Sequence, residues 1–143
     1  MGRVVVGVDG SETSVEALRQ AAEAARTRGA TLDVVTAWYF PGLAMLPGPE
    51  DVPTPHKLEA AARQTLEATI AQAGPEALAG LDVERHIIEG HPAEALTKAA
   101  DDADLLVVGS HGTGGFRGML LGSVSAHCVH HARSPVLVVR TKR

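Results

Sequence analysis

Short apolar runs alternate with amphipathic stretches along the whole of this chain. The clearest run is Leu105-Leu106-Val107-Val108. Four apolar residues in a row mark a strand buried on both faces. Arg3 to Val8, reading Arg-Val-Val-Val-Gly-Val, is a second such run, Thr31 to Ala37 a third, and Val136 to Val139 a fourth. Leu81 to Glu89 behaves differently. It alternates, with Asp82, Glu84 and His86 facing one way, which predicts an edge strand with one wet face.

The stretches between the runs carry helical periodicity. Val15, Leu18, Ala22 and Ala25 recur at helical spacing, and Gly29 ends that helix. Two N-caps compete at its start: Ser11, and Thr13 in a capping box with Glu16. Pro55 to Ala73 is the second helix, capped by Thr54, with Leu58, Ala62, Leu66, Ile70 and Ala73 as its buried stripe and Gly74-Pro75 as its stop. Pro92 to Ala103 predicts a short third helix, and Ser123 to about Ala132 a fourth. The order is therefore β-α-β-α-β-α-β-α-β. Such alternation predicts an α/β fold: a single doubly wound domain, its five parallel strands joined by right-handed crossovers, with helices on both faces. Ligands in such sheets bind beyond the carboxyl ends of the strands, where the strand order reverses. With the first and fourth strands at that point, Asp9 and Gly109 share one crevice.

Composition narrows the class without naming a function. The chain has 143 residues, enough for one domain with a sizeable core. Its net charge of −4 offers no basic footprint, so nucleic acid is not an expected partner. No apolar run reaches membrane-spanning length, and a strand begins too early to leave room for a signal peptide. Cys128 is the only cysteine, so no internal disulfide can form. These features suit the cytoplasm.

The candidate chemistry lies after the fourth strand. Gly109-Ser110-His111-Gly112 opens a glycine-rich loop, and Gly122-Ser123 begins the next helix. Strand, glycine loop and helix N-terminus together make a phosphate seat. Glycines admit the anion close to the backbone, N–H groups point at it, and the helix dipole favours negative charge there. Two well-known glycine motifs do not fit. A P-loop needs Lys-Ser/Thr after its last glycine, and no lysine lies between Gly109 and Ser125. A dinucleotide fingerprint needs a third glycine where Arg117 stands, and it belongs after the first strand.

What fits is Gly109-x-x-Gly112, nine residues, then Gly122-Ser123, or G-x2-G-x9-G-(S/T). With this motif the chain resembles the nucleotide-binding members of the universal stress protein family. The resemblance extends through Ser123-Val124-Ser125 and Ser134 to Val139. It also takes in Val8-Asp9-Gly10-Ser11 and Glu89 to Glu94, so it covers nearly the whole chain. It implies a strand order of 3-2-1-4-5 and ATP as ligand, with any Mg2+ held mainly by the phosphates. The implied binding residues are Val8, Asp9, Gly10, Ser11, Ala37, Gly109, Ser110, His111, Gly112, Gly122, Ser123, Val124 and Ser125. Asp9 would contact the nucleoside part; on its residue type alone it reads equally well as a turn residue. The resemblance also implies a homodimer. In that strand order Val136 to Val139 lies at an edge, apolar on both faces, where pairing with its own copy would cover it.

Other features carry less. Trp38 to Pro53 holds three of the four aromatic residues and four of the eight prolines, a composition for a packed surface loop or a lid over the site. His127, Cys128, His130 and His131 share one helix, but it offers no carboxylate, which argues against metal. Arg117 is a weak phosphate candidate. No general base for hydrolysis is assignable, so the chain is expected to be at most a slow ATPase. The signatures H-x-G-H and S-G-G-x-D-S of adenylate-transferring enzymes are missing. The rival reading is a nucleotide-independent dimeric interaction module of the same fold.

Overall fold

The computed structural model describes residues 2–40, 54–112 and 121–141. Five strands, β1 (Arg3–Gly7), β2 (Thr31–Trp38), β3 (Val83–Glu89), β4 (Leu105–Gly109) and β5 (Val136–Val139), form one sheet. All pairings are parallel and the order is β3-β2-β1-β4-β5. Four helices, α1 (Glu12–Arg28), α2 (Pro55–Ala73), α3 (Pro92–Ala99) and α4 (Ser123–His131), alternate with the strands. The expected doubly wound layout is the one observed.

Period-two side-chain alternation explains the three layers. Val4, Val6, Leu32, Val34, Leu105 and Val107 face α1 and α2, where Leu18 and Leu66 complete the larger core. Val5, Val35, Leu106 and Val108 face α3 and α4, against Leu96 and Cys128. The central strands are therefore apolar at every position because both of their faces are covered. Burial pushes the Cys128 thiol up to about 11, so it packs as a small apolar group.

Element ends differ from the sequence expectation in instructive ways. Ser11 is the N-cap of α1, its Oγ accepting the N–H of Ser14 at 3.2 Å. Thr13 does not cap; its hydroxyl donates to the carbonyl of His111, across the fold. α3 stops at Ala99 rather than 103, because the N–H of Asp104 turns to the carbonyl of Arg3 and the chain must enter β4. β3 starts at Val83 and both Glu84 and Arg85 are exposed, so its alternation is weaker than expected. On α2, Thr69 is fully buried beside the expected stripe, its hydroxyl donating to the carbonyl of Thr65.

Candidate functional site

A cleft of about 520 Å³ opens at the carboxyl ends of β1 and β4. This is where the strand order reverses, the place physics reserves for ligands in such sheets. The carboxyl end of β1 supplies Val8 and Asp9, and the start of α1 supplies Ser11. The end of β2 supplies Ala37. Gly109, His111 and Gly112 come from β4 and its loop, and Gly122, Ser123, Val124 and Ser125 from the start of α4. Eleven of the thirteen residues singled out from sequence thus line one space.

Gly10 and Ser110 do not line it, and both have other work. Gly10 takes φ +86, a left-handed turn that lets the chain leave β1 for α1. Ser110 is buried, and its carbonyl ties the loop together. That oxygen accepts the N–H of Gly122 at 2.6 Å and the hydroxyl of Ser125 at 2.9 Å. Its own N–H donates to Val139 at 2.8 Å. The two ends of the glycine loop are therefore clamped to each other and to the sheet. Ser125 is buried and spends its hydroxyl hydrogen on this clamp, whereas Ser123 is exposed.

The clamp needs a close approach that only glycine permits. A Cβ on Gly122 would lie 3.3 Å from the carbonyl oxygen of Ser110 and 3.4 Å from Cα of His111. A Cβ on Gly112 would fall 2.6 Å from Oδ2 of Asp9. Gly112 thus brings the loop against the Asp9 carboxylate, whose Oδ1 accepts the N–H of Ser11 at 3.0 Å.

The helix beyond the clamp is set up for an anion. α4 has glycine as its N-cap, so no side chain caps its first turn, and that turn contains no acidic residue. α1 has both, with Ser11 as cap and Glu12 in the first turn. The N-terminal dipole and orphan N–H groups of α4 are left for a ligand. Among the described residues lining the cleft none is lysine or arginine. An anion here would be held by backbone and hydroxyl groups.

The opposite wall is apolar, and sequence reasoning missed most of it. Gly7, Ser14, Val35, Pro92, Leu96 and Val108 also line the cleft. Val35 has a weak signal, two residues before Ala37 on the same side of β2. Pro92 and Leu96 have none, because nothing local says that α3 docks over this end of the sheet. A flat apolar group fits between this wall and Val8 and Val124.

Two sequence features fall partly outside the site. Of the Trp38 to Pro53 segment, Trp38 ends β2 and the ring of Tyr39 packs on His91 with centroids 4.3 Å apart. Residues 41–53 lie outside the described residues, as does Arg117. On α4 the rings of His127 and His131 pack at 4.4 Å. No third ligand joins them at metal-binding distance among the described residues.

Comparison with known proteins agrees with this architecture. A family model described as the universal stress protein family matches residues 1–140. Universal stress protein Rv2005c of Mycobacterium tuberculosis is 40% identical over 140 residues, covering 96% of this chain and 45% of that protein. The chain thus spans about half the length of the curated relatives it matches. A crystal structure of a universal stress protein in complex with cAMP is 35% identical, with a TM-score of 0.71, over 99% of this chain and 98% of the other. The universal stress protein from Archaeoglobus fulgidus in complex with dAMP is 27% identical, with a TM-score of 0.69, over 97% and 98%.

Proposed function

The chain belongs to the universal stress protein family, and we propose that it is an adenine-nucleotide-binding member with ATP as its ligand. The observation that carries this reading is the clamped loop: it delivers an uncapped helix N-terminus to one side of a cleft whose other side is apolar. The phosphates would meet the first-turn N–H groups of α4 and the Ser123 hydroxyl. The adenine would lie against Val8, Val35, Ala37 and Leu96, and Asp9 would accept from the ribose. The complexes of similar proteins with cAMP and dAMP support an adenine base. Magnesium accompanying ATP would be held mainly by the phosphates.

Hydrolysis is expected to be slow, well under the ~10 s⁻¹ typical of enzymes. The described lining offers donors that bind phosphate equally before and after transfer, and no group placed to activate water. The role proposed is accordingly regulatory, in a cytoplasmic stress response. No described helix is long and apolar enough to cross a membrane.

Titration calorimetry with ATP, ADP, AMP, cAMP and GTP tests the assignment, alongside native and denaturing mass spectra of the purified protein. ATP should bind more tightly than GTP and a nucleotide should co-purify. Equal or absent binding of all five would remove the adenine assignment and leave the interaction module.

We also propose that the chain forms a homodimer through β5. This strand ends the sheet, and Leu137 on it is 39% exposed. An unpaired apolar edge is normally covered, and a two-fold copy would cover it. Light scattering should give twice 14.9 kDa, and Val138→Lys should yield the monomer. A monomer mass at every concentration would rule the dimer out.

A further inference from the structure

A second cluster of chemistry sits low on the sheet, away from the cleft. β2 and β3 pair with Asp33 opposite Glu84 and Val35 opposite His86. Glu84 and His86 are two residues apart, so both side chains leave β3 on the side that Asp33 occupies. One ligand atom from each of the three lies within 4.8 Å of the others, and this is the one such group among the described residues.

Their hydrogen bonding is incomplete. Asp33 is only 4% exposed, and its Oδ2 accepts from Nη1 of Arg3 at 2.7 Å. Oδ1 of Asp33 is buried with no hydrogen-bond partner. So is Nε2 of His86, which stands 3.7 Å from Oδ2, too far for a hydrogen bond. Two orphaned polar atoms in one small space call for an occupant, because each has lost its water without replacement.

The local charge says what kind of occupant. Arg3 pairs with both Asp33 and Asp102, so one guanidinium faces two carboxylates. Glu84 adds a third, leaving two negative charges unbalanced. We infer that Asp33, Glu84 and His86 bind a divalent transition-metal ion, with zinc the best match. One imidazole nitrogen with carboxylate oxygens suits zinc, cobalt or nickel, whereas magnesium and calcium prefer oxygen alone. Glu84 is exposed, so the ion is reached from solvent and leaves a coordination position to water. Asp33 lies four residues before Ala37, about 13 Å along the strand, so this site is separate from the nucleotide cleft.

The test uses the full chain, stripped with chelator and dialysed, without nucleotide. Zinc chloride is titrated by equilibrium dialysis with elemental analysis, and cobalt chloride by its visible absorption. The inference expects one zinc per chain. His86→Ala and Glu84→Gln, both at accessible positions, should each weaken it at least tenfold with unchanged circular dichroism. A variant with His127, His130 and His131 all changed to alanine should bind as the parent does. Absence of zinc binding, or binding lost only in that triple variant, would overturn the site. So would unchanged affinity in Glu84→Gln, which would reduce the cluster to a His86–Asp33 ion pair.

Discussion

Gly122→Val is expected to lower ATP affinity at least ~100-fold while the protein stays folded. The cause is steric crowding. Gly122 has φ −75 and ψ 172, an extended conformation open to any residue, so backbone freedom is not at issue. What fails is the clamp. The N–H of Gly122 reaches the carbonyl of Ser110 at 2.6 Å, and the first carbon of any side chain would already crowd that oxygen at 3.3 Å. The two methyls of valine must push the start of α4 away from the end of β4. The phosphates then lose the N–H groups of the first turn together. Hydrogen bonds to charged groups contribute about 1.5–3 kcal/mol each, so losing two accounts for the ~100-fold, or about 2.8 kcal/mol. Ser123→Ala removes a single hydroxyl and should weaken binding by about 1–3 kcal/mol. Calorimetry with ATP, alongside thermal melts of each variant, makes the comparison. Wild-type affinity in both variants would take this loop out of the binding site.

Leu106→Ala should destabilise the fold by about 2–5 kcal/mol without touching the site chemistry. Leu106 is fully buried in the middle of β4, paired with Val5 on one side and Val136 on the other. It belongs to the smaller of the two cores, where seven buried residues separate the sheet from α3 and α4. A cavity there has few neighbours able to collapse into it, and α3 carries Pro92 and Leu96 of the cleft wall. Domains of this size are stable by only about 5–15 kcal/mol, so the loss is a large fraction of the total. Urea unfolding should show a lower midpoint with an unchanged slope. A shift below about 1 kcal/mol would mean that α3 and α4 are loosely packed and that the cleft wall is not rigid.

These two positions also separate what could be read along the chain from what could not. The four central strands are uninterrupted apolar runs because they are covered on both faces, and that signal is local. The helices announce themselves through spacing and caps, as at Thr54 and Gly29. The glycine motif was legible because close backbone approach admits only one residue type, at 109, 112 and 122. Eleven of thirteen candidate residues line the cleft for the same reason: they sit at strand ends and helix starts, which topology sends to one place.

Contacts between distant segments left no such trace. Thr13 read as a cap, yet its hydroxyl serves the carbonyl of His111, which is 98 residues away. Ser110 and Ser125 read as ligand contacts, yet they tie the loop that presents the other residues. Pro92 and Leu96 look like any short amphipathic helix until α3 is docked over the end of the sheet. Asp33, placed in an apolar strand, gave no hint of Glu84 and His86, because the register of β2 on β3 is set by packing across some fifty residues. Periodicity and steric exceptions are properties of neighbouring residues and are written in their order. The partners of a buried polar group depend on which surfaces meet, and that is settled when the layers close on a common core.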